Sequence, residues 1–205
     1  MELKDAIQNR ASVRKFTEEG VIIDDLKEMV RRAGLAPSEN NHQPWKFIAI
    51  TNKAILEKLA NTVSQKISSI PSLESKRAYL VKSQMEMSAT FFKRAPSVIA
   101  MVMTHSETIW EKGINIPQEE LKKMHNYPDL QSAGAAIQNI LLSAVEFNYG
   151  ACWMSSPLTA KEELEEILGI QEPWGLTAFI AIGKYDVEAR QSNKKAFEDI
   201  FELIT

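Results

Sequence analysis

The chain of 205 residues is 44% hydrophobic, enough to bury a proper core. Its 24 Lys and Arg stand against 27 Asp and Glu for a net charge of -3, and the cations are scattered, which argues against nucleic acid or an anionic membrane surface as the main partner. A single cysteine, Cys152, excludes an internal disulfide and a multi-cysteine metal site, and its neighbours Ala151 and Trp153 suit a packed core position.

Met1 to Asp5 opens an amphipathic helix with Leu3, Ala6 and Ile7 at helical spacing, not a signal peptide. No apolar run approaches the roughly 20 residues that span a bilayer, so a cytoplasmic protein is expected. Asp24 and Asp25 open a second helix, in which Leu26, Met29, Val30 and Ala33 recur every three to four residues until Gly34 stops it. The segment from Ala36 to Trp45 follows. Pro37 and Pro44 stiffen both of its ends, while Ser38, Glu39, Asn40, Asn41, His42 and Gln43 fill its interior with hydrogen-bonding groups. A capped turn plugged by Trp45 and a loop built to hold a ligand both fit that pattern.

Phe47 to Ile50 is the first of four short apolar runs; the others are Val98 to Met103, Ala151 to Met154 and Leu176 to Ile182. Each is nearly continuous rather than alternating, as in strands covered by helices on both faces. Helical patterns run from about Lys53 to Ser68 and from Leu73 to Lys93. A longer one runs from Asp129 to Tyr149, with Leu130, Ala133, Ile137, Ile140, Leu141, Ala144 and Val145 inward and further apolar residues on its other faces. Such a helix needs cover all round, and its Ala133-Gly134-Ala135-Ala136 stretch admits a close neighbour, so a homodimer centred on this helix is expected. After a polar connector, Ala196-Phe197, Ile200-Phe201 and Leu203-Ile204 form an apolar tail that docks either on a partner subunit or on its own sheet edge. No linker, repeat or low-complexity run divides residues 1–205, which predicts one domain.

Several constellations bear on chemistry. Arg10, Ser12 and Arg14 alternate where the first helix ends, and two guanidiniums with a hydroxyl suit a phosphate or electron-rich carbonyls; solvated arginines at a helix C-terminus are the plainer alternative. Lys194 and Lys195 could add a cation or be surface charge. The three histidines, His42, His105 and His125, show no metal-ligand spacing, and no HExxH or Gly-x-Ser-x-Gly signature occurs. The eight glycines form neither a dinucleotide fingerprint nor a P-loop, so any phosphate must be held by side chains.

Arg10-Ala11-Ser12-Val13-Arg14-Lys15-Phe16 and the segment from Ala36 to Phe47 resemble, in order and spacing, the paired N-terminal signatures of the FMN-dependent nitroreductase family. The likeness continues through Asp129 to Leu142, Tyr149 to Met154, Ala181-Ile182-Gly183 and Lys194 to Asp199. It implies an α+β fold, a three-layer helix-sheet-helix arrangement with a mixed central sheet, in an intertwined homodimer. It implies FMN as cofactor and NAD(P)H as co-substrate, with electrons passed in a ping-pong cycle to a small acceptor such as a nitroaromatic, a quinone or a flavin.

Carried over by residue, the resemblance puts Arg10 on the FMN phosphate, joined by Lys194 or Lys195. Ser12 falls beside the phosphate and ribityl chain, and Arg14 at the pyrimidine edge of the ring. Pro37, Ser38 and Asn41 reach the flavin from the other subunit, Gln43 shapes that loop, and backbone groups among Trp153, Met154, Ser155 and Ser156 face the flavin N5. Two departures occur: Asn40 replaces a small residue, and Lys194-Lys195-Ala196 stands where Arg-Lys-Pro is frequent. Relatives on this fold include reductive dehalogenases and flavin-modifying enzymes, and a non-catalytic FMN-binding protein or a ligand-free helical module would also fit parts of the pattern. Substrate choice is expected to lie with the stretches from Ser64 to Leu80 and from His105 to His125, the least regular in the chain.

Overall fold

The computed structural model describes residues 1–105, 113, 115–186 and 192–205. Helices α1 (Leu3–Asn9) and α2 (Ile23–Ala33) come first. In α2 the predicted Leu26, Met29 and Ala33 are buried, with Asp24 and Asp25 in the first turn and Arg31 and Arg32 in the last, each sign matching the helix dipole. α1 turns only Ala6 inward and leaves Leu3 66% and Ile7 54% exposed, so its apolar stripe finds little cover within the chain.

All four apolar runs are strands: β1 (Trp45–Ile50), β2 (Ser97–Thr104), β3 (Gly150–Met154) and β4 (Trp174–Gly183). They form one sheet in the order β1-β2-β4-β3, and every neighbouring pair is antiparallel. The mixed character expected of the sheet is confined, among the described residues, to one parallel bridge between Ser12 and Ala151. Continuous apolar runs report cover on both faces, not strand direction, and β2 is buried along nearly its whole length.

Between the strands lie α3 (Lys53–Ser69), α4 (Lys76–Thr90), α5 (Gln118–Met124), α6 (Pro128–Glu146) and α7 (Lys161–Leu168). Asn52 caps α3 by accepting from the amides of Ala54 and Ile55, and Ser75 caps α4 through Ala78. The Ser75 cap starts α4 later than the apolar spacing from Leu73 suggests, and a tight turn over Phe91–Arg94 ends it ahead of Pro96. Ser64 to Leu80 is accordingly mostly helix, the end of α3 and the start of α4, while part of the stretch from His105 to His125 lies outside the described residues. α6 stops at Glu146 because Asn148 takes a left-handed φ of 56° and Tyr149 N–H donates back to Ala144 O at 2.7 Å.

The sheet divides the core into two layers. Ile99, Met101, Ala178, Ile180, Ile182 and Ala151 pack against α2 and α6, whereas Val98, Ala100, Leu176, Phe179, Ala181, Cys152 and Met154 pack against α3 and α7. Strict alternation would put Leu176 and Ala178 on one face. A bulge in β4 opposite Met101 and Val102 resets the alternation there. Within the second layer Phe92 meets Phe179 edge-on, centroids 5.2 Å apart.

α6 buries Ala133, Ile137, Ile140, Leu141 and Ala144 as its spacing predicts, and also Ala136, which the spacing put on another face, but Leu130 is 55% exposed and Val145 is only half-buried. Leu130 falls in the first turn of the helix, at the rim of the packed region. Residues 192–205 are exposed throughout, including Phe197, Ile200, Phe201, Leu203 and Ile204. The tail therefore does not cover its own sheet edge; its ordered contacts are internal, a stack of Phe197 on Phe201 at 4.9 Å.

Candidate functional site

The first cluster is built by the edge of the sheet. The Ser12–Ala151 bridge and a bond from Val13 N–H to Ala151 O at 3.0 Å lay the segment after α1 along β3. Gly150 makes this approach possible, because an added Cβ would stand 2.7 Å from three atoms of the Val13 side chain. Val13 is buried, so its neighbours Ser12 and Arg14 both face outward, and Arg14 Nη1 donates to Ser12 O at 3.3 Å. Behind them sits Cys152. Burial pushes its thiol up, while the Arg14 charge, a hydrogen bond with Ser12 and the Arg10 charge pull the other way. Ser12 and Arg14 therefore stand outward on the edge of β3, and Arg10, at the end of α1, opens the same segment.

The second cluster is the loop. Glu39–Asn41 forms a single helical turn, and Asn40, Asn41 and Gln43 hold left-handed φ values of 49°, 55° and 50°. Gln43 N–H donates to Ser38 Oγ at 2.9 Å, Asn41 N–H to Ser38 O at 3.0 Å, and Glu39 N–H to Ser132 Oγ of α6 at 3.3 Å. Gln43 thus shapes the loop through its backbone. Pro37, Asn41 and Gln43 are exposed and Ser38 is half-buried, so the loop presents a polar outer face. No hydrogen bond among the described residues joins it to the Arg10–Arg14 strip. The two clusters are carried at different places, one on the edge of β3 and one beside the N-terminal end of α6.

The remaining predicted residues divide. Trp153 is 48% exposed on the α6 side of β3, its Cη2 3.8 Å from where a Cβ on Gly134 would stand. Met154 points into the opposite core layer, 3% exposed. Ser155 and Ser156 are exposed, and Ser156 Oγ donates to Ser88 O at 3.4 Å. Lys194 and Lys195 lie on the exposed tail, where Lys194 donates to Ser192 at 3.3 Å; among the described contacts nothing brings either to Arg10.

Two further features escaped the sequence. Ser132 ties the loop to α6, and His105 Nδ1 lies 3.3 Å from Asp129 Oδ2, joining the end of β2 to the first turn of the same helix. Asp129 and Ser132 fall within a recognised stretch, but a bond spanning 93 residues leaves no local signal. Separately, a cleft of about 820 Å³ opens beside Phe16, Thr17, Lys53, Lys93 and Arg94. It contains none of the predicted site residues.

A single antiparallel sheet covered by helices on both faces is an α+β fold. The sequence pattern of the nitroreductase family matches residues 7–184, and the chain belongs to that family. Among solved structures it is similar to a BluB-like flavoprotein from Clostridium difficile 630, at 30% identity and a TM-score of 0.90 with 100% of each chain covered. A nitroreductase with bound FMN from Bacteroides fragilis NCTC 9343 shares the fold at 19% identity and a TM-score of 0.73, again over 100% of both chains. In sequence it is 25% identical over 193 residues to YfhC of Bacillus subtilis (strain 168), provisionally named an NAD(P)H nitroreductase, with 94% of this chain and 89% of that protein covered.

Proposed function

We propose that this chain is an FMN-dependent oxidoreductase that takes electrons from NAD(P)H and delivers them to a small organic acceptor such as a nitroaromatic, a quinone or a flavin. Two copies form a homodimer with a cofactor site at each end of the shared surface. The observation that carries the proposal is the bridge that lays the segment from Arg10 to Arg14 along the edge of β3 with Ser12 and Arg14 turned outward.

The residues present fit the cofactor. Arg10 and Ser12 offer a guanidinium and a hydroxyl to a phosphate, and Lys194 or Lys195 adds a second cation from the tail. Arg14 offers a permanent positive charge to the electron-rich edge of the ring. Backbone groups from Trp153 to Ser156 flank the same strand end. Ser38, Asn41 and Pro37, on the loop beside the N-terminal end of α6, serve the cofactor of a second copy.

Bound FMN supplies the redox chemistry, accepting a hydride and releasing electrons; the chain binds, orients and electrostatically supports it. NAD(P)H and the acceptor use the same open face in turn, which makes the cycle ping-pong. The exposed apolar side chains of α1 (Leu3 and Ile7), of α6 (Leu130) and of the tail support the homodimer, since isolated copies would leave them in water.

The experiment is direct. Purified protein should be yellow or should become so with added FMN, and should oxidise NADH or NADPH when a nitroaromatic, quinone, halogenated aromatic or free flavin is supplied. Protein that stays colourless and cannot be reconstituted would end the proposal.

A further inference from the structure

Ser132 lies one turn inside α6 and is 6% exposed. Its single proton is committed to Pro128 O at 2.9 Å, so a lone pair is left to accept from Glu39 N–H at 3.3 Å. Glu39 directly follows Ser38 and opens the turn that closes at Asn41. Two more ties enclose the same region: Thr104 N–H donates to Pro44 O at 2.9 Å, and His105 faces Asp129. Three left-handed residues within one short loop persist only where the surroundings hold them, and Ser132 is the helix side chain that does the holding from this side.

We propose that Ser132 is a positioning residue that sets the Ser38–Asn41 face of the loop for the cofactor bound by a second copy of the chain. The inference rests on the FMN-dimer reading above. It goes further in assigning Ser132 a role exerted across the subunit boundary. The Arg10–Arg14 strip and the Ser132-tethered loop of one chain then belong to different cofactor sites, and damage to the two should segregate.

Two co-expressed, differently tagged heterodimers test this by FMN titration of the purified apoproteins. In the first, one chain carries both Ser132→Ala and the pair Arg10→Ala, Arg14→Ala, and the other chain is unchanged. Each of its sites has then lost one component, and no site of wild-type affinity should remain. In the second, the serine change is on one chain and the arginine changes are on the other. Both defects fall on one site, and one FMN per dimer should still bind with wild-type affinity.

A homodimer with Ser132→Ala should lose about fivefold or more in FMN affinity, and Ser132→Thr, which keeps a hydroxyl, should restore most of it. Should Ser132→Ala not fold, Ser132→Cys replaces it in both heterodimers. Heterodimers that titrate alike, or a Ser132→Ala homodimer within twofold of wild type, would overturn the proposal. Wild-type protein that is monomeric or takes up no FMN would overturn it together with the reading beneath it, and is seen before any variant is made.

Discussion

Val13 and Gly150 are packed so closely that one added carbon on the glycine would stand 2.7 Å from Cβ, Cγ1 and Cγ2 of the valine. Val13 is β-branched and buried, so it has little freedom to yield. Gly150→Ala should therefore push the segment carrying Arg10, Ser12 and Arg14 off β3, costing about 1–3 kcal/mol. Chemical denaturation and FMN titration should both register the change, and a second substitution, Val13→Ala, should recover part of the cofactor affinity. Unchanged affinity in Gly150→Ala would mean that the bridge does not set the strip.

Tyr149 is buried, donates its hydroxyl to Asp25 at 2.8 Å and accepts from Ile22 N–H at 3.2 Å. Tyr149→Phe should cost about 1–3 kcal/mol by orphaning the Ile22 amide at the start of α2. The urea midpoint should fall with little change in slope. Burial and the Asp25 carboxylate together hold the phenol above its ordinary range. Its contribution is therefore complete below about pH 10 and is lost as pH rises through the folded value, so Tyr149→Phe should flatten the alkaline limb of the stability profile.

Glu28 accepts from Arg31 and Arg32, which lowers its pKa from 4.5 to about 2. Arg32 also donates to Glu146 at 2.5 Å, lowering that carboxylate and joining α2 to the end of α6. Both groups bind protons more weakly in the folded chain than in the unfolded one. Their contribution is complete above about pH 4.5 and fades as pH falls toward 2. Denaturation midpoints between those limits should drop less steeply for Glu146→Gln than for wild type. Added salt should shrink the difference, because both carboxylates are about one-third exposed.

Arg14→Ala should slow reduction of bound FMN by NAD(P)H more than it weakens FMN binding, because its proposed role is to favour negative charge on the ring. Arg10→Ala should do the reverse. Stopped-flow reduction rates set beside equilibrium titrations separate the two, and equal losses in both quantities for Arg14→Ala would remove it from that role.

Deleting residues 192–205 removes Phe197, Ile200, Phe201, Leu203 and Ile204, each more than half exposed. Light scattering across a dilution series should show dissociation at protein concentrations where the full chain remains dimeric. A dimer as tight as the full chain's would show that the tail does not bind the second copy.

The strands and the longest helices were legible because burial on both faces writes itself into composition: Val98 to Met103 and Leu176 to Ile182 need no partner's identity to be recognised. α7 was not: its three apolar positions, Leu164, Ile167 and Leu168, crowd the last turns of an eight-residue helix, and only Leu164 is buried. The outward placing of Ser12 and Arg14 about buried Val13 was legible because alternation in an extended segment puts such residues on one side. The tether from Glu39 to Ser132 was invisible because both residues look like ordinary turn and helix residues until the chain brings them within 3.3 Å. Lys194 and Lys195 remain where sequence left them, two cations on an exposed tail.

Cys152 sits directly behind Ser12 and Arg14, next to the place where redox chemistry is proposed. Peroxide and disulfides react with thiolates, and two neighbouring guanidiniums would ordinarily make one available. Burial outweighs them and keeps the sulfur protonated. The chain thus carries its one oxidisable thiol beside its own electron traffic in an unreactive form, and turnover in air should leave that sulfur intact.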